Sequence, residues 1–212
     1  MEEKKEVRRK KRIRLFLQKV ILARSGKTIL DVGCGEGRLS EFVQENGRFV
    51  VALDIDENKL KSFSGVPKVL SDANRLPFPD KSFETVFLFN VIEHTVDDIV
   101  TLREAARVAT KNLLLSVPKV DTYHRHQSGL SYRHYIDPTH RRYYTEESLK
   151  ETLKRAGFQR FEIAHFSRVR PLLFYDRIGY PRLLLKAFDF LLWAIGRKRL
   201  EFYQTLFTEV LL

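Results

Sequence analysis

The chain has 212 residues, 43% of them hydrophobic and 31% charged, which is enough for one domain with a core of its own. Cys34 is the single cysteine, so an internal disulfide and a multi-cysteine metal centre are both excluded. The formal charge of +11 is uneven: residues 1–14 hold eight Lys/Arg against three Glu, residues 118–144 five against two acids, and residues 168–199 eight against two.

These basic segments suit an anionic partner such as nucleic acid, a membrane surface or a phosphorylated substrate, and solvated helix faces explain each of them equally well. The N-terminus is charged rather than apolar, and no run reaches the roughly 18 apolar residues of a membrane span, so a cytoplasmic protein is expected. One Cys and one Met beside so many charged residues lean toward a thermophile.

Residues 2–24 read as a basic helix with Ile13, Leu17, Val20 and Ile21 on one side, ended by Ser25-Gly26. A short buried strand follows over Thr28–Val32. Arg38–Glu45 is a helix that Asn46-Gly47 stops. Arg48–Asp54 is a second strand, Glu57–Phe63 a short helix, and Val66–Ser71 a third strand. Pro77 and Pro79 keep residues 75–80 out of any helix. Phe83–Phe89 is the fourth strand. The next helix is expected over Val96–Ala109, with Thr95 and Asp98 in capping-box spacing, before a fifth strand over Asn112–Val117. Strands alternating with helices at this rhythm indicate a parallel sheet covered on both faces.

The rhythm then breaks. Residues 118–144 are rich in His, Tyr and Arg without periodicity and read as a long functional loop. Glu146–Ala156 is a helix ended by Gly157, Phe158–His165 a strand, residues 171–196 one or two apolar helices, and Glu201–Leu212 a closing strand.

The most informative stretch is Ile29-Leu30-Asp31-Val32-Gly33-Cys34-Gly35-Glu36-Gly37, a strand running into glycines at alternate positions. Glycine tolerates positive φ and puts no Cβ between the main chain and a ligand. The dinucleotide pattern G-x-G-x-x-G is not met, because Arg38 stands at its last position. The segment resembles motif I of class I S-adenosylmethionine (SAM) dependent methyltransferases. That resemblance implies a Rossmann-like α/β/α sandwich of seven strands, mostly parallel, with one antiparallel strand near the C-terminus.

It also implies a cofactor site, with S-adenosylhomocysteine as the product. Asp31, Gly33, Cys34, Gly35 and Gly37 would surround SAM, Asp31 on its ammonium side. Asp54, ending the second strand, would accept from both ribose hydroxyls, and Ile55 would lie against the adenine. A carboxylate suits that task because both its oxygens accept; a helix N-cap is the structural alternative for Asp54. Ser71-Asp72-Ala73-Asn74-Arg75-Leu76-Pro77-Phe78 is similar to the family's D-A-x-x-L-P-F segment, so Asp72 would take the adenine amine and the Ala73 amide would donate to the ring. The main chain at Asn90 would meet the methionine end.

Glu93-His94 resembles the pair found in quinone-biosynthesis O-methyltransferases, which makes His94 the candidate base. Asn90 departs from the acid often found there in those enzymes, so metal assistance is not expected. The (N/D)-P-P-Y motif of amino-group methylation is missing, and Cys34 lies in the glycine loop, so two nucleic-acid chemistries are disfavoured. His124, His126, His134, Asp137 and His140 match no tight zinc spacing, and no metal ligands are assigned. Instead His134, His140 and Tyr143 are expected to line the acceptor pocket.

On this reading 1–212 is a single methyltransferase domain: basic helix 1–26, SAM-binding core 27–117, acceptor loop 118–144 and a helical insertion or lid over 166–200. The acceptor is expected to be small and lipophilic. The rivals are an RNA or protein methyltransferase docking through the basic additions, and a SAM-binding module without catalysis. The apolar stretch 183–199 ends in Arg197-Lys198-Arg199 and serves as a lid, a subunit contact or a peripheral membrane helix.

Overall fold

The computed structural model describes residues 18–120, 137–169 and 202–212. The expected basic helix before residue 18, the loop from 121 to 136 with His134, and the apolar insertion lie outside these residues. Helix α1 covers residues 18–24 of the described chain. There follow β1 Thr28–Val32, α2 Arg38–Glu45, β2 Phe49–Asp54, α3 Glu57–Lys61, β3 Lys68–Leu70 and β4 Phe83–Phe89. The second half holds α4 Asp98–Val108, β5 Ala109–Pro118, α5 Glu146–Ala156, β6 Phe161–Val169 and β7 Phe202–Leu211.

The strands form one sheet in the order β3-β2-β1-β4-β5-β7-β6. Pairings from β3 through β5 are parallel, whereas β7 runs antiparallel to both β5 and β6. One reversed strand in seven is the expected architecture.

Alternation along each strand divides the core into two layers. Leu30, Val32, Leu53, Leu88, Leu113 and Leu115 pack with Leu102 of α4 and Leu149 and Leu153 of α5. Ile29, Val50, Ala52, Phe87 and Leu114 face the other way, toward Ile21 of α1, Val43 of α2 and Leu60 of α3. A buried amide joins these parts. Asn112 of β5 accepts from Thr85 Oγ1 at 2.7 Å and donates to the Arg24 carbonyl at 3.0 Å and to Glu209 of β7 at 2.6 Å.

Several boundaries move for physical reasons. Helix α4 begins two residues later than expected, because Asp97 caps it by accepting from the amides of Ile99 and Val100. The Thr95 hydroxyl instead donates to the Ile92 carbonyl at 3.1 Å. Strand β6 starts at Phe161, since the Phe158 amide still bonds the Leu153 carbonyl, closing α5 behind Gly157 at φ 105°. Strand β3 is shorter than expected, and β5 is longer because it leaves α4 without a turn.

Candidate active site

The strand order reverses between β1 and β4, and in open parallel sheets ligands bind beyond the carboxyl ends of the strands at such a point. Gly33, Gly35 and Gly37 follow β1 with φ of 67°, 57° and 70°, a region that costs any other residue strain. A Cβ on Gly33 would stand 2.6 Å from Val91, so this glycine lets the segment after β4 close against the loop. A Cβ on Gly35 would meet nothing within 4 Å; there the main chain borders open space.

Two carboxyls sit beneath this loop. Asp54 Oδ2 accepts from the Gly35 amide at 2.9 Å, and its Oδ1 from the Asp56 amide at 2.9 Å, which leaves each oxygen a lone pair. Asp56, not Asp54, caps α3. Asp31 is 3% exposed and accepts from Ser40 Oγ of α2 at 2.6 Å. Burial, aided by Asp54, pushes its pKa up to about 7, although the Ser40 bond opposes this. Burial, with Asp31 and Asp54 nearby, also pushes the Cys34 thiol up to about 12, so it is no nucleophile at neutral pH.

The remaining residues expected on the cofactor side line the same edge. Ile55, 71% exposed, offers an apolar face just past Asp54. Asp72 accepts from the Asn74 amide at 2.8 Å in a tight turn that presents the half-buried Ala73. Asn90 ends β4 at φ 54°, its amide on the Ser116 carbonyl at 2.9 Å and its Oδ1 accepting from Ser116 Oγ at 3.3 Å. Asp31, Gly33, Cys34, Gly35, Gly37, Asp54, Ile55, Asp72, Ala73 and Asn90 thus all fall at strand ends on one edge of the sheet.

On the neighbouring side, His94 and His140 meet edge to face with ring centroids 4.6 Å apart. Tyr143 stands 6.1 Å beyond His140. His94 Nδ1 faces the carbonyl and hydroxyl of Thr139 at 3.3 and 3.0 Å. Burial first, and the His140 ring after it, lowers the His94 pKa against the opposing pull of Thr139, so the ring is neutral at pH 7. Glu93, buried beside them, is pushed up to about 8, mainly by desolvation. Arg142 fastens this corner by donating to the carbonyls of Ile92, Thr95 and Val96 at 2.7 to 2.8 Å. Ser40, Thr139 and Arg142 escaped the sequence reading, for their partners are distant in the chain and no motif marks them.

The profile of a family described as "Methyltransferase domain" matches residues 3–162. The chain belongs to this family. SAM is the cofactor of such methyltransferases, and the acids, glycines and open edge described above fit it. A relative from Mycobacterium tuberculosis H37Rv, named for SAM-dependent methyl transfer, is 34% identical over 140 residues, 63% of this chain and 49% of that one. A demethylmenaquinone methyltransferase of Mycobacterium sp. strain KMS is 29% identical over 160 residues, covering 68% and 70% of the two chains. A SAM-dependent methyltransferase from Archaeoglobus fulgidus shares the fold with a TM-score of 0.64 at 20% identity, over 92% of this chain and 94% of that chain. The chain spans about half the length of the first curated relatives it matches.

Proposed function

We propose that this methyltransferase domain transfers the methyl group of SAM to a small, lipophilic acceptor, releasing S-adenosylhomocysteine. The supporting observation is the adjacency of two unlike regions at one sheet edge. The glycine loop with Asp31 and Asp54 is an acid-lined cradle suited to a cationic ligand. Beside it stand the paired rings of His94 and His140, with Tyr143 against His140 and the exposed Val96 two residues past His94. The likeness to a demethylmenaquinone methyltransferase favours the same acceptor class.

In the reaction an acceptor lone pair forms a bond to the methyl carbon as the carbon–sulfur bond breaks, and the electron pair stays on sulfur. Holding the two reactants in line supplies about 7 to 11 kcal/mol of barrier lowering. His94 deals with the proton of a hydroxyl acceptor. Its Nε2 lone pair can take the proton, or can bind a cation that acidifies the hydroxyl.

Labelled SAM added to cell extract, followed by separation of lipid, RNA and protein, tests this reading. Label in the lipid fraction is the expected result. Label in RNA or protein would replace the acceptor with a macromolecule docking on the basic segments, and no transfer at all would make the domain a binding module. Calorimetry checks the cofactor side: Asp54→Ala with Asp72→Ala should weaken SAM by roughly tenfold or more, about 1.4 kcal/mol. Unchanged affinity would remove both acids from the site.

A further inference from the structure

Glu93 is 1% exposed, and neither oxygen of its carboxyl has a hydrogen-bond partner among the described residues. The His140 side chain is 6% exposed, and its Nδ1 is also without a partner. Buried polar atoms nearly always find a partner, and those that do not call for a physical cause. These orphaned atoms belong to residues that meet: one ligand atom each of Glu93, His94 and His140 falls within 4.8 Å of the others.

The hydrogen bonds around the cluster decide which ring nitrogens are free. Thr139 gives its hydroxyl proton to Asp137 Oδ1 at 2.5 Å, so it offers His94 Nδ1 only acceptors, its own oxygen and its carbonyl. Nδ1 of His94 therefore carries the proton, and Nε2 holds the lone pair. His140 Nε2 faces the Asp137 carboxylate 3.7 Å away, which favours a proton on that nitrogen, and the orphaned nitrogen is Nδ1. An outer nitrogen turned toward a carboxylate or a carbonyl is the arrangement that orients metal-binding imidazoles.

We propose that Glu93, His94 and His140 bind one divalent transition cation, through the Glu93 carboxylate, His94 Nε2 and His140 Nδ1. Two imidazoles and one carboxylate suit zinc, manganese or ferrous iron and leave coordination positions open. Whether the cation binds does not depend on the methyl-transfer reading, but its task does. An acceptor hydroxyl entering an open position loses its proton to solvent more readily, and its oxygen then attacks the methyl carbon.

The test uses the full chain, stripped with EDTA, dialysed and titrated with Zn2+ by calorimetry. One equivalent is expected, with affinity reduced at least roughly tenfold in Glu93→Gln and in His140→Ala, and about tenfold in Thr139→Val, which only positions His94. Co2+ in place of zinc should give visible d–d bands that the same variants lose. His94→Gln repeats the measurement at a less buried position in case Glu93→Gln fails to melt cooperatively. No saturable uptake overturns the proposal, as does uptake that survives these variants and is lost in His124→Ala with His126→Ala. If the stripped chain still binds SAM and labels lipid in EDTA, the cation has no catalytic task while the methyl-transfer reading stands.

Discussion

Asp31 shows how one buried carboxyl makes stability depend on pH. Its unfolded pKa is 3.8 and its folded value about 7, so folding takes up a proton between the two. The stability it contributes is complete below the unfolded value and is lost as pH rises through about 7, by up to about 1.4 kcal/mol per pH unit. Urea melts at several pH values should show this slope in the ligand-free chain and a flatter one in Asp31→Asn; equal slopes would mean the burial does not act as described. A bound ammonium favours the carboxylate, so SAM affinity should rise over the same interval. The sequence identified Asp31, because it ends a strand ahead of the glycines. It could not show the cause of the shift, which is burial beneath the loop, reinforced by Asp54 and opposed by the Ser40 bond.

At the scale of elements, legibility followed local chemistry. Helix α5 has the expected limits because its end signals are encoded in place: Thr145 and Ser148 form a capping box, and Gly157 takes the left-handed conformation. Helix α4 starts two residues later than expected because Asp97, and not Thr95, caps it, a choice made by the turn that follows β4. The meeting of Glu93 and His140 was invisible, for it depends on residues 137–144 folding back over the segment after β4. Arg142 makes that fold. Its three bonds to the carbonyls of Ile92, Thr95 and Val96 hold the segment bearing His94. Arg142→Ala should lower stability by roughly 2–4 kcal/mol, since hydrogen bonds to charged groups contribute about 1.5–3 each and this side chain is partly solvated. It should also lower kcat while leaving SAM affinity nearly intact. Equal losses in both would mean that Arg142 supports the whole edge and not the acceptor corner alone.

Across the whole molecule, Asn112 connects parts that no local signal relates. Its side chain reaches β4, the end of α1 and β7, and it is fully buried. Asn112→Ala would strand Thr85, the Arg24 carbonyl and Glu209 together, and a loss of about 2–4 kcal/mol is expected in urea unfolding. A change below about 1 kcal/mol would mean that water replaces the amide. The same amide lies where β5 pairs with β7, and that pairing gives the fold an order in time. Strand β7 follows β6 in the sequence yet sits between β5 and β6. During synthesis, the five-strand half with its glycine loop can assemble while residues Asn112–Pro118 still present an unpaired strand edge and β6 has no neighbour in the sheet. Only when Phe202–Leu211 leaves the ribosome can both pairings close. The nascent chain thus forms the glycine-loop half first, and carries an adhesive edge until Phe202–Leu211 arrives.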